Sequence, residues 1–178
     1  LFSAKTGQLL PNTVPIIKAI DAAGPRHYCY HPDKNVIYVA NENGSSVTTY
    51  QLNPEDGSLK ANQTLSTLPD KFGEENTCAQ IHLHPTGKFL YVANRGHDSI
   101  AIFSVSDDGE NLIALGRQET EPIPRTFNLD PSGSFLFAAG QGSGKLATYQ
   151  IDPETGLLTF LRSQYLGENP MWVMILEL

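Results

Sequence analysis

The sequence predicts an all-β chain built from repeated four-stranded units, and three observations carry the prediction. Near-copies of one phrase recur: HPDKNVIYVANENGSSVTTYQL from 31, HPTGKFLYVANRGHDSIAIFSV from 84 and DPSGSFLFAAGQGSGKLATYQI from 130. Within each copy, short alternating runs rich in β-branched and aromatic residues are broken by Gly, Pro, Asp and Asn, the pattern of strands and turns. No stretch carries a helical period. Four antiparallel strands per unit of about 45 residues is the mark of a β-propeller blade. A β-sandwich would leave the repeated turn chemistry unexplained.

Taken in order, residues 1–22 read as the end of a blade: Leu1–Phe2 closes a third strand, AKTG at 4–7 is a turn, and LLPNTVPII is a fourth strand. Residues 24–66, 78–118 and 123–166 then read as complete blades, with inner strands near 26–31, 79–84 and 125–130. Each inner strand runs into a residue-Pro anchor (His31-Pro32, His84-Pro85, Asp130-Pro131), and each blade has a second turn of the PEDG, SDDG or PETG type. Residues 169–178 read as one more inner strand with no blade behind it. Three complete blades plus strands of two others make roughly half a ring, and a closed propeller needs about four blades at least. The sequence does not begin with Met, so the expectation is the C-terminal half of a single propeller domain. Its partners would be the missing N-terminal half or a second copy.

With 178 residues and 40% hydrophobic content, the chain can bury a core. A net charge of −7 argues against nucleic acid and against anionic membrane surfaces. No apolar run approaches the ~20 residues of a membrane span, and no signal peptide is present. Cys29 and Cys78 lack metal-type spacing; both are expected as free thiols, Cys29 in the core, which fits a cytoplasmic location.

Because the first and second strands of a blade are antiparallel, the start of one and the end of the other share a rim. Arg26 and His27 then lie beside Asn41-Glu42-Asn43, Ala79 and Gln80 beside Asn94-Arg95-Gly96-His97, and Arg125 beside Gly140-Gln141. Of the five arginines in this acidic chain, three (Arg26, Arg95 and Arg125) map to that one rim, an arrangement suited to a carboxylate or phosphate. The plainer reading is a set of solvated charges paired with acids such as Glu42. Glu42 is the candidate general base, and His82 is either a channel-lining catalytic group or a satisfied core histidine. The opposite rim carries Lys34 with His31 and His84, whose turns make a structural role the better reading. No G-x-S-x-G elbow and no metal constellation is present, and no cofactor is implied.

The motifs GPRHYCYHPDKNVIYVANE, AQIHLHPTGKFLYVANRGHDSIAIFSV, PRTFNLDPSGSFLFAAGQ and GENPMWVMILEL, in that order, resemble the lactonase family of seven-bladed propellers along the whole chain. The resemblance implies an enzyme acting on a small anionic lactone. Hydrolysis of a sugar lactone such as 6-phosphogluconolactone to 6-phosphogluconate, a step of the pentose phosphate pathway, is the preferred activity. A 3-carboxymuconate-type cycloisomerase and a non-catalytic propeller binding a partner on its rim are the alternatives. The few aromatics in the rim turns favour an enzyme over a partner-binding surface. It implies catalytic roles for Arg26, Glu42, His82 and Arg95, and substrate binding by His27, Asn94, His97 and Arg125. In the muconate branch the matching Arg–Glu–Arg set acts with a histidine from the other half of the ring.

Overall fold

The computed structural model describes residues 2–12 and 14–176, and among these residues there is no helix. Three four-stranded antiparallel sheets follow one another, each meandering from an inner to an outer strand. The first contains β3 (Pro25–Tyr30), β4 (Val36–Asn41), β5 (Ser46–Leu52) and β6 (Leu59–Ser66). The second contains β7 (Thr77–Leu83), β8 (Phe89–Arg95), β9 (Ser99–Val105) and β10 (Leu112–Glu119). The third contains β11 (Pro124–Leu129), β12 (Phe135–Gly140), β13 (Lys145–Ile151) and β14 (Leu158–Tyr165). These sheets match the three expected blades, inner strands included.

The two ends differ from expectation. The first blade end is reduced to a two-residue pair, β1 (Phe2–Ser3) and β2 (Gln8–Leu9), with Leu1 outside the described residues. The fourth strand expected over LLPNTVPII stops at Leu9, because Pro11 and Pro15 have no N–H to give a ladder. The expected closing strand at 169–178 is likewise not a strand over 169–176, and Glu177 and Leu178 lie outside the described residues. It has no main-chain ladder, but it runs beside β11. Val173 donates its N–H to Thr126 Oγ1 at 3.1 Å, and Asn128 Nδ2 donates to the Val173 carbonyl at 3.2 Å. Gln80 Oε1 likewise accepts the Phe127 N–H at 2.7 Å, so one inner strand reaches the next through side chains.

Apolar faces stacked between successive sheets form the core. Tyr38, Val47, Leu90, Val92 and Phe103 fill the first interface, and Tyr91, Ile100, Ile102, Phe127, Leu136 and Tyr149 the second. The repeat is also written in hydrogen bonds. Tyr38 donates to the Gly109 carbonyl of the next blade at 2.7 Å, and Tyr91 donates to the Gly156 carbonyl at 2.9 Å. Phe137 pairs with Asn128 as Tyr38 does with Cys29, so the third blade lacks this hydroxyl. The anchor histidines are structural, as expected. His31 packs on Gly87 of the next blade, while His84 binds Thr86 through Nδ1 and the Gly133 carbonyl through Nε2 at 2.9 Å. Both cysteines are free thiols; Cys78 is buried, and Cys29 is half-buried at a blade interface rather than sealed in the core. Desolvation pushes the Cys29 thiol up to about 12 and the Cys78 thiol to about 11.

Candidate active site

A β-bulge at the start of each inner strand shapes the rim. Register slips between Pro25 and His27, between Cys78 and Ile81, and between Pro124 and Thr126. The extra residue in the first and third blades is an arginine, Arg26 and Arg125, and a bulge re-aims the side chain it carries. The middle blade has Ala79-Gln80 at its bulge and supplies its guanidinium from the end of β8, where Arg95 faces Thr77. Three guanidinium groups thus come together from three blades by two structural routes.

Glu42 sits between two of them. Its Oε2 lies 3.4 Å from Arg26 Nε, and its Oε1 accepts a hydrogen bond from Arg95 Nη2. Arg95 Nη2 also donates to the Cys78 carbonyl at 3.1 Å. Two donors are left over: Arg26 Nη1 and Arg95 Nε are buried without a hydrogen-bond partner among the described residues. Burial first, and then the neighbouring Arg95 and Arg125, lower the Arg26 pKa against the opposing pull of Glu42. His27 is lowered in the same way, by burial and then by Arg26. Arg26, His27, Gln80 and Arg125 line a cavity of about 180 Å³ whose remaining wall is Met171 and Trp172.

His82 projects from β7 at the level of Cys29 and Asn128, since each pairs with the middle of its second strand. Its ring stands edge-on to Phe127, centroids 4.9 Å apart, and its Nε2 is buried without a partner. Burial, and next the charge of His27, push its pKa down to about 4, against a hydrogen bond to the Phe127 backbone. His82 is therefore neutral near pH 7, with one ring nitrogen unengaged. It is not the satisfied core histidine that was one of its two readings.

Two expected site residues lie apart from this cluster. Asn94 is fully buried, and its amide is taken up by Thr67, Asn76 and Ser99 at the joint between the first two blades, which leaves it no group for a substrate. His97 is held by Ser99 at 2.8 Å and packs edge-on to Phe72 of the segment between β6 and β7. Glu42 has both oxygens turned to guanidinium groups, which fits a charge that orders the arginines better than a free base. The residues that sequence reasoning left without a role are Gln80 and the Met171–Trp172 wall. Their legible signals were the place of Gln80 beside the end of the ANRGH run and the reading of 169–178 as a further inner strand. A larger open trough of about 660 Å³, lined by Asp33, Lys34, Asp108 and Glu110 among others, lies on the opposite rim. It gathers mixed charges and none of the arginines.

Comparison with known proteins places these features. The family model described as Lactonase, 7-bladed beta-propeller, matches residues 1–175. A 6-phosphogluconolactonase of Pectobacterium carotovorum is 42% identical over 173 residues, which is 97% of this chain and 52% of that protein. Among solved structures, the periplasmic gluconolactonase PpgL of Pseudomonas aeruginosa matches with a TM-score of 0.80 at 28% identity, covering 85% of this chain and 42% of that one. A solved protein from Lactobacillus plantarum matches with a TM-score of 0.84 at 30% identity, covering 88% and 46%. The chain spans about half the length of the curated relatives it matches.

Proposed function

The chain belongs to the seven-bladed β-propeller lactonases, and from that premise we propose that it supplies the anion-binding rim of an enzyme hydrolysing 6-phosphogluconolactone. One observation carries the reading: Arg26, Arg95 and Arg125 converge in an acidic protein, and two of their donors are buried without a partner. Buried guanidinium N–H groups without acceptors are poised for the oxygens of an anion. In this reading the arginines hold the phosphate and stabilise the charge that grows on the lactone carbonyl oxygen as water attacks. Neutral His82 takes a proton from that water, and the imidazolium returns it to the ring oxygen when the ester C–O bond breaks. Glu42 holds Arg26 and Arg95 in register, and no cofactor is required.

The same reading makes this chain about half of one propeller domain, in the cytoplasm. Its two unpaired thiols and a length about half that of its relatives support this. Tyr28 and Tyr30 at one end, and Met171, Met174 and Leu176 at the other, are exposed apolar side chains that further blades or a second copy would cover. The experiment is a comparison of kcat/KM for 6-phosphogluconolactone, unphosphorylated gluconolactone and 3-carboxymuconate with the intact propeller. Preference for the phosphorylated lactone supports the reading. Equal use of gluconolactone would remove the phosphate from it, and turnover of muconate alone would make the protein a cycloisomerase.

A further inference from the structure

Arg125 is the one arginine of the cluster whose guanidinium is not tied to Glu42. Its position depends on the main chain before it, and that main chain is unusual. Ile123, just ahead of Pro124, has φ +55°, a left-handed conformation that a β-branched residue rarely adopts. The equivalent residue of the first blade, ahead of Pro25 and Arg26, is Gly24 with φ +63°, the ordinary solution for such a site.

The Ile123 peptide is also a junction. Its carbonyl accepts the N–H of Arg125 at 2.7 Å and of Gln141 at 2.9 Å, as the Gly24 carbonyl accepts that of Glu42. Its own N–H donates to Asp98 Oδ1 at 2.9 Å. Asp98 belongs to the turn that follows Arg95. The same Oδ1 accepts the Gly96 N–H at 3.2 Å, and the Asp98 carbonyl accepts that of Thr120. One carboxylate oxygen therefore joins the turn carrying Arg95 to the linker that launches Arg125.

We propose that Asp98 is the positioning residue for Arg125: its carboxylate fixes the Ile123 peptide in the left-handed conformation and so sets the third guanidinium beside Arg26. This rests on the reading of the rim as a site for a phosphorylated lactone, and it adds how the third arginine is placed there. The role needs an acceptor oxygen and not a charge. Asp98→Asn should keep it, whereas Asp98→Ala should lose it. Ile123→Gly should restore it in the Asp98→Ala background, because glycine reaches φ +55° unaided.

Two readouts test this in the intact propeller. Hydrogen exchange of the 121–127 segment reports the positioning directly, and KM against kcat for 6-phosphogluconolactone reports its consequence. Asp98→Ala should speed exchange at 121–127 and raise KM by roughly five- to tenfold with kcat within about twofold. It should add nothing to KM when Arg125 is already alanine. Asp98→Asn should match the parent, and Asp98→Ala with Ile123→Gly should recover most of the KM. Should Asp98→Ala fail to fold, Asp98→Ser, whose shorter arm cannot span both N–H groups, takes its place. Unchanged exchange at 121–127 overturns the proposal, as does Asp98→Asn behaving like Asp98→Ala. If exchange rises while Arg125→Ala leaves lactone kinetics untouched, the positioning stands and the functional reading fails.

Discussion

The two rims of this half-ring are built from the same repeat, yet they end in opposite states. On the rim of the HPDK, HPTG and DPSG turns, polar groups meet partners. His84 is bonded at both ring nitrogens, and the blade tyrosines cap glycine carbonyls of the next blade. On the rim of the bulged inner strands, Arg26 and Arg95 each keep a buried polar atom without a partner, and so does His82 further down its strand. Leaving such a group unpaired costs about 1–3 kcal/mol. The difference teaches that residue type alone does not separate structure from chemistry. His82 and His84 lie two positions apart, and only the second is saturated.

The largest effect that would sharpen this contrast concerns His82. His82→Gln should lower turnover of 6-phosphogluconolactone by about a hundredfold or more, the usual worth of a placed general base. His84→Gln should leave kcat near the parent value and act on the melting temperature. Because burial depresses the His82 pKa to about 4, the unfolded chain takes up this proton near pH 6.5 and the folded one only near pH 4. His82 therefore costs the fold least above about pH 6.5, and it destabilises the folded state increasingly as pH falls towards 4. Denaturant titrations across that window should show a shallower decline for His82→Gln.

Glu42→Gln comes next, with an expected loss of roughly tenfold in kcat/KM, because the charge-assisted pairs to Arg26 and Arg95 both lose the carboxylate charge. Its loss should be smaller than that of His82→Gln; the reverse order would make Glu42 the base. The smallest effects belong to the turn rim. Tyr91→Phe removes one neutral hydrogen bond and should cost about 1 kcal/mol of stability in chemical denaturation. Activity at fixed temperature should not change. A loss of activity without a loss of stability in Tyr91→Phe would blur the two rims.

Most of the fold was legible in the sequence because its signals are local. Period-two runs, residue-Pro anchors and Gly-containing turns repeat three times and place twelve strands. The ends were less legible, since a strand exists by its partner. PMWVMI has strand-like residues, but among the described residues only side chains, of β11 and of Gln141, hydrogen-bond with it. The arginine rim was legible as antiparallel bookkeeping on Arg26, Arg95 and Arg125. What stayed hidden was which of its members were already spent. The amide of Asn94 closes a joint between blades, and Glu42 is clasped by two guanidinium groups. Both depend on contacts 27 to 53 residues away in sequence that no spacing announces. The left-handed Ile123 was hidden for the same reason, since nothing in EPIPR marks it as glycine does in GPR.

The assignment of chemistry to one rim is tested most directly by kcat/KM for 6-phosphogluconolactone in Arg125→Ala and Lys34→Ala of the intact propeller, with folding verified for both. Arg125 lines the cavity among the inner strands, and Lys34 lines the open trough on the far rim. A charge-assisted hydrogen bond contributes about 1.5–3 kcal/mol, so Arg125→Ala should lower kcat/KM by roughly tenfold or more. Lys34→Ala should leave it within about twofold. Lys34→Ala as damaging as Arg125→Ala would put the active site on the other rim, and full activity in both would make the arginines surface charges.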